Sequence, residues 1–549
     1  MTKIKTSTRP SFPSGLQVST ELLLFGICTF FTVVFSLPFW RSSSSFLGTL
    51  AFDMVRDLFL MGVVITCLHF LILLPFINRY TLKPLLSLLI IAGASAGYFS
   101  WYYGTYFDVS MINNVLQTDF RESTELLTGH YLLFMLALTL LPLVFLNTAI
   151  VTPLALFVAI KRRLVSALVV AALMVVSLGI SFQSFAGLMR NHTELRYLIN
   201  PGNLLLSVPR SLVSSVNGAI IDKVEIGLDA TTTQSTTSAK PRLLILVIGE
   251  TVRAANWGLS GYTRDTTPKL SAQKNLINFT DVTSCGTSTA VSLPCMFADV
   301  ARSEYSSAYG LEHKSLLSVV KLAGYTVEWI DNQSGCKGVC EASDTDNIDP
   351  LHFVSLCPGG HCFDEALSGN LTEELAETPR NELIVFHMLG SHGPSYFRRY
   401  PEGFEVFTPT CHTDELSQCS QQEITNGYDN SVRYTDHVLN AMLTQLQADQ
   451  SRDIAMIYVS DHGESLGEMG LYLHGLPDMI APDTQNHVPM VWWLSEGFQK
   501  ATGISTSCLR HQAAVAVSHD NLFHSILGLL SIQTDIYAPE LDISMECKA

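Results

Sequence analysis

The sequence is short of charge. Asp, Glu, Lys and Arg make up only 15% of its 549 residues, where a soluble domain carries roughly a quarter. With 48% hydrophobic residues and a mean hydropathy of +0.28, an ordinary cytosolic globule is excluded. Basic residues are scarcest behind residue 190. Residues 191–549 hold 21 Lys/Arg against 42 Asp/Glu, a net of −21, whereas residues 1–190 hold 12 against 7, a net of +5. The acidic back half lacks the footprint of a nucleic-acid binder, so no nucleic-acid partner is expected. No internal repeat of fixed period runs through the chain. Disorder is excluded by its wealth of Leu, Val, Phe and Tyr. Two domains of different solvent class follow.

Long apolar runs fill the front. Leu22–Trp40, Leu58–Ile77, Pro84–Tyr103, Tyr131–Thr152 and Leu164–Phe182 each have about the 20 residues needed to cross a bilayer as a helix. The first follows Lys3, Lys5 and Arg9 as a signal peptide would. Its apolar core exceeds the ~7–15 residues of such peptides and no small-x-small cleavage site follows, so it reads as an uncleaved span. Arg79, Lys83, Lys161, Arg162 and Arg163 lie in the second and fourth loops. The acidic residues gather in the first and third, among them Asp108, Asp119, Glu122 and Glu125. The positive-inside rule then puts the N-terminus in the cytoplasm and, after five crossings, the back half outside. Leu204–Val224 is mildly amphipathic and suits a membrane surface. Residues 230–239, rich in Thr and Ser, read as a linker. The expected division is a five-span domain over 1–190, an interfacial helix and linker over 191–240, and a catalytic domain over 241–549.

Ten of the twelve cysteines lie behind residue 284, eight of them as near neighbours: Cys285/Cys295, Cys336/Cys340, Cys357/Cys362 and Cys411/Cys419. Such clusters suit short disulfides in an oxidising compartment. Structural zinc fits less well, because the spacings differ and no paired Cys-x-x-Cys motif occurs. Spacing leaves the connectivity open, with Cys508 and Cys547 a further candidate pair.

Three apolar runs in the back half read as strands buried on both faces of a parallel sheet. Leu243–Ile248 leads into Gly249-Glu250-Thr251. Leu383–Phe386 leads into His387 and then Gly390-Ser391-His392-Gly393-Pro394. Ile454–Val459 leads into Ser460-Asp461-His462-Gly463-Glu464. The helical-looking Ile424–Gln447 falls between the second and third, as α/β order requires. Alone, each motif is an ordinary cap, loop or turn. Together they set oxygen and nitrogen ligands beyond the carboxyl ends of strands, where α/β sheets bind ligands. Glu250, Asp461 and His462 supply three ligands of the kind zinc takes, leaving a position for a reacting group. That group is expected in Ser284–Phe297, where Gly286 and a run of Thr and Ser enter an apolar helix. A hydroxyl there meets the anion-favouring end of the helix, and a coordinated metal makes it a competent nucleophile.

The motifs Val-Ile-Gly-Glu-Thr-Val-Arg-Ala (247–254), Cys-Gly-Thr-Ser-Thr-Ala (285–290), Pro-Cys-Met-Phe (294–297), Cys-Lys-Gly-Val-Cys (336–340), Gly-Ser-His-Gly-Pro (390–394), Ser-Asp-His-Gly-Glu-Ser-Leu-Gly-Glu (460–468) and Leu-His-Gly (473–475) occur in this order. As a set they resemble the phosphoethanolamine–lipid A transferases, including the mobile colistin-resistance enzymes, over essentially the whole chain. The resemblance implies a C-terminal domain of the alkaline phosphatase/sulfatase-like superfamily, a mostly parallel sheet sandwiched by helices. It implies Thr289 as nucleophile and zinc ligand, with Glu250, Asp461 and His462 completing one tightly bound Zn2+. Lys337, His392 and His474 would hold the phosphate or a second zinc near the substrate, and Thr287 and Ser334 would lie by the donor head group. Val291 and Gln333 depart from some relatives, which have Tyr and Asn there. The implied reaction moves phosphoethanolamine from phosphatidylethanolamine to a lipid A phosphate by double displacement through Thr289. Such a monomeric enzyme of the bacterial inner membrane, its catalytic domain periplasmic, would confer polymyxin resistance. Rival readings are a transferase using a glucan, teichoic polymer or core sugar, a sulfatase- or phosphatase-like hydrolase, and a metal-free membrane receptor. The Cys/Ser-x-Pro-x-Arg sequence a sulfatase needs is absent.

Overall fold

The structure, a computed structural model, describes residues 17–46, 52–118, 120–152, 154–220, 223–233 and 240–548. Lys3, Lys5, Arg9, Asp119 and most of the Thr/Ser-rich linker lie outside the described residues. The chain divides into two compact units: residues 1–102 with 129–206, and residues 103–128 with 207–549. Residues 103–128, a loop between apolar runs in the sequence, thus cluster with the second unit.

The first unit is helical. Its elements are α1 (Thr20–Phe30), α2 (Leu37–Phe46), α3 (Phe52–Leu73), α4 (Leu82–Tyr102), and, beyond α5 (Val109–Gln117) and α6 (Phe120–Leu126) of the second unit, α7 (Gly129–Thr148) and α8 (Leu156–Asn191). Four helices among the described residues are long and apolar enough to span a membrane, and a bent pair makes a fifth candidate. That pair covers the expected first span, which is bent. Residues Phe31–Phe35 form a π turn, Ser36 N donates to Phe31 O, and the axis turns by 53° into α2. Pro38 explains the break, because it cannot donate to a continuing helix.

α3 packs on α8 and α4 on α7 around Leu24, Phe31, Phe35, Phe70 and Ile90. The outer faces stay apolar: Leu141 is 75% exposed and Leu168 71%. A helix apolar toward its surroundings suits lipid, where backbone groups are satisfied within the helix. Two interior polar groups are matched locally: Thr66 Oγ1 donates to Thr32 Oγ1 at 3.0 Å, and His69 Nδ1 donates to Ile65 O at 3.0 Å.

The second unit is built on a seven-stranded sheet. Its strands are β1 (Arg242–Gly249), β2 (Ile277–Phe279), β3 (Thr326–Asp331), β4 (Asp344–Asn347), β5 (Glu382–His387), β6 (Asp453–Ser460) and β7 (Met490–Leu494), in the spatial order β2-β7-β6-β1-β5-β3-β4. The five strands from β6 to β4 run parallel, and β7 and β2 add an antiparallel edge. β1, β5 and β6 are buried at every residue, which is why they read as unbroken apolar runs. Leu244, Leu246, Val385, Ile457 and Trp492 are among the side chains that form the core with flanking helices. α9 (Leu204–Ile220), α10 (Thr289–Met296) and α11 (Gln421–Ala448) follow in the chain. α11 opens on a complete capping box, Ser420 Oγ accepting from Glu423 N and the Glu423 carboxylate from Ser420 N. Five disulfides bridge Cys285–Cys295, Cys336–Cys340, Cys357–Cys362, Cys411–Cys419 and Cys508–Cys547, and Cys28 and Cys67 stay free.

Candidate active site

Sheet register brings the strand ends together. β1 lies between β6 and β5, with Ile248 opposite Val459 on one side and His387 on the other. Glu250 leaves β1 exactly one residue past its end, and Asp461 and His462 leave β6 beside it, with Asp461 N donating to Gly249 O at 2.9 Å. Gly390 allows the third loop to close in: its φ is +58°, and a Cβ there would stand 2.5 Å from Glu250 O. Thr289, the first residue of α10, completes the group.

Thr289 Oγ1 donates to Glu250 Oε2 at 3.0 Å and lies 3.2 Å from His462 Nε2. That nitrogen is 3.5 Å from Glu250 Oε1 and 3.4 Å from Asp461 Oδ2. Glu250, Asp461 and His462 are wholly buried, with ligand atoms mutually within 4.8 Å. His462 Nδ1 donates to Gly463 O at 2.9 Å, which leaves Nε2 with its lone pair toward the cluster. Burial pushes the imidazole down to about 4, so it is neutral near pH 7. Burial, and then the facing Asp461, push the Glu250 carboxyl far above the usual carboxylate range. Glu250 Oε1 and Asp461 Oδ2 are buried with no hydrogen-bond partner. Two buried carboxylates with idle oxygens, a neutral imidazole and a hydroxyl around one point fit a divalent cation of the zinc type.

A small cavity of about 40 Å³ opens before Thr289. Ser288, Gln333, Ser334, Lys337, His392 and His474 line it on the α/β side. Asn114, Gln117, Thr118 and Glu122 line it from α5 and α6 and the turn between them. Asp108 caps α5, accepting from Met111 N at 2.8 Å, and α5 packs on α10. Lys337, bracketed by Cys336–Cys340, donates from Nζ to Ser334 Oγ at 2.8 Å. His474 Nδ1 donates to Glu464 Oε2 at 2.8 Å, and Tyr396 donates to Glu464 Oε1 at 2.7 Å. Burial alone would lower the His474 pKa, but Glu464 and then Glu122 raise it above the ordinary value. Across the cavity His392 Nε2 sits 3.2 Å from Glu122 Oε1. Burial would raise Glu122, but His392, His474 and Lys337 outweigh it and hold that carboxyl at about 2.

The residues expected from the sequence therefore fall into two adjoining groups. Glu250, Thr289, Asp461 and His462 form the cluster, and Ser334, Lys337, His392 and His474 line the cavity. Thr287 does not reach the cavity. Its hydroxyl donates to Leu476 O and its carbonyl accepts from Gly475 N, both at 2.7 Å, so it fixes the turn after His474. Sequence reasoning missed Glu122, Glu464 and His519. Buried His519 accepts at Nδ1 from Cys285 N at 3.1 Å and donates from Nε2 to Ser460 O at 3.0 Å, tying α10 to the end of β6.

An α/β sheet with a metal-ready hydroxyl site at its strand ends, carried behind apolar spanning helices, defines a membrane-anchored phosphotransfer enzyme of alkaline-phosphatase-like fold. Two family models match, "Phosphoethanolamine transferase EptA/EptB" over residues 65–216 and "Sulfatase" over residues 242–532. The chain is 38% identical over 470 residues to phosphoethanolamine transferase EptA of Escherichia coli K12, covering 85% of this chain and 86% of that one. It is 34% identical over 534 residues to phosphatidylethanolamine transferase Mcr-1 of Escherichia coli, covering 94% and 96%. The structure of the integral membrane protein lipooligosaccharide phosphoethanolamine transferase A from Neisseria meningitidis superposes with a TM-score of 0.93 at 34% identity, covering 97% of this chain and 99% of that one. The chain belongs to the phosphoethanolamine transferase family and is an enzyme.

Proposed function

We propose that the enzyme moves phosphoethanolamine from phosphatidylethanolamine to a lipid A phosphate through a covalent adduct on Thr289. The observation that carries this reading is the Thr289 hydroxyl, held at the start of α10 within 3.2 Å of both Glu250 and His462. A zinc ion held by Glu250, Thr289, Asp461 and His462 would lower the pKa of that hydroxyl and polarise a phosphoryl oxygen. Thr289 Oγ1 attacks the phosphorus of the donor, and the bond to the diacylglycerol oxygen breaks. Lys337 and His392 offset charge on the transferring group. His474, its Nδ1 committed to Glu464, offers Nε2 to the cavity and passes a proton to the leaving diacylglycerol alkoxide. A lipid A phosphate oxygen then attacks the adduct, its proton passing to His474, and the bond to Thr289 Oγ1 breaks to free the residue as the alkoxide that began the cycle. Both lipids reside in a bilayer, so spanning helices confine enzyme and substrates to one surface. The five disulfides and the loop charges support a periplasmic catalytic unit on the bacterial inner membrane. An added amine lowers the negative charge of lipid A, so polymyxins bind it less.

The test is Thr289→Ala in the full chain, expressed at wild-type level. Expected are no phosphoethanolamine–protein adduct by mass spectrometry, unmodified lipid A and no polymyxin protection. Retained transfer removes the nucleophile assignment. Wild-type enzyme that leaves lipid A unchanged but modifies a core sugar or glucan shifts the acceptor.

A further inference from the structure

The loop that carries His392 is gripped a second time, beside the cavity. Arg399, which closes the short 3-10 turn Tyr396–Arg398, turns its side chain back and donates from Nε to the backbone carbonyl of His392 at 2.6 Å. Its two terminal nitrogens donate to both carboxylate oxygens of Glu125, at 3.2 and 2.5 Å. Both side chains are only 4% exposed. Burial would raise the Glu125 carboxyl, but Arg399 outweighs it and holds it down, as a charged pair requires. Glu125 lies one turn beyond Glu122 on α6, and Glu122 meets the His392 ring at 3.2 Å.

Helix α6 therefore holds His392 at both ends, the ring through Glu122 and the backbone through Glu125 and Arg399. A structural staple could be made by any buried pair, and apolar residues often serve as well. Here each of the three nitrogens of the planar guanidinium is engaged, two in the fork and one at the carbonyl of a cavity residue. Removing one partner would strand a buried charge against the turn that aims the imidazole.

We propose that Arg399, oriented by Glu125, is a positioning residue that fixes the His392 imidazole against the transferring phosphoryl group. It touches no substrate and acts through His392. This rests on the placement of His392 in the transfer site proposed above.

Full-length enzyme in detergent micelles with phosphatidylethanolamine and lipid A as acceptor gives the readout, diacylglycerol released per enzyme per unit time. Arg399→Lys keeps the charge but loses the fork and the Nε donor. It should lower kcat about ten-fold with KM changed by less than about two-fold. In a His392→Ala background the same change should cost less than about two-fold, because the group it positions is gone. Glu125→Gln, read in the same two backgrounds, gives the answer independently where Arg399→Lys folds poorly. An equal loss in both backgrounds, or a loss confined to KM, assigns Arg399 to folding alone and overturns the proposal. Unchanged kcat in the wild-type background overturns it too. His392→Ala with wild-type kcat would instead remove His392 from the site, and this proposal with it.

Discussion

The site has two walls, made in different ways. One, behind the cavity, is made by strand ends: Glu250 after β1, and Asp461 and His462 after β6, placed by sheet register and wholly buried. The other is made by α6, whose Glu122 reaches the cavity from a short segment lying in sequence between two apolar helices. The first wall offers idle carboxylate oxygens to a cation, whereas the carboxylates of the second are already paired, Glu122 with the His392 ring and Glu125 with Arg399. In the proposed reaction the nucleophile belongs to the first, rigid wall, and the second wall adjusts the groups that meet the transferring phosphate, so its losses should be smaller.

The rigid wall is where a substitution should cost most. Asp461→Asn should lower transfer by more than about a thousand-fold and abolish stoichiometric zinc, measured by atomic absorption on purified enzyme. Chelation should reproduce that loss, and added zinc should restore it. Full activity in demonstrably metal-free protein would erase the distinction between the walls. Next comes Glu464→Gln, which leaves His474 a neutral partner. A loss of about a hundred-fold in kcat with zinc still bound is expected. Loss of zinc as well would move Glu464 into the metal site.

How much of this was legible in the sequence follows the same division. β1, β5 and β6 stood out because burial on both faces leaves an unbroken apolar run; Glu250, Asp461 and His462 follow within two residues of the ends of β1 and β6, and His392 five residues beyond β5. Four of the five bridges join the near-neighbour cysteines that marked an oxidising compartment, whereas spacing left the connectivity open and Cys508 with Cys547, 39 positions apart, only a candidate pair. β7 and the antiparallel edge gave no comparable signal, since Met490–Leu494 is short and its neighbours are far apart in sequence. His519 meets Cys285 across 234 positions, and no local pattern encodes such a contact. Glu122 and Glu125 were visible only as charges in a loop, where they serve a topology count as well as any acid would. The break at Ser36 was missed because hydropathy averages over a proline.

The smallest effect separates wall from scaffold. Glu122→Gln removes the negative charge facing His392 while keeping a hydrogen-bonding oxygen at nearly the same place. Transfer should fall about ten-fold, zinc content should not change, and the melting temperature should move by no more than a few degrees. The modest size follows from the circuit around the residue. Lys337, His392 and His474 all face this carboxylate, so its loss is spread over three partners rather than breaking one pair. A surplus of positive charge attracts the phosphoryl group more strongly and offsets part of the lost aim of the imidazole. KM for phosphatidylethanolamine should therefore stay level or fall while kcat drops. A rise in KM without a drop in kcat would mean that Glu122 holds the amine of the donor, and the second wall would then be a binding surface.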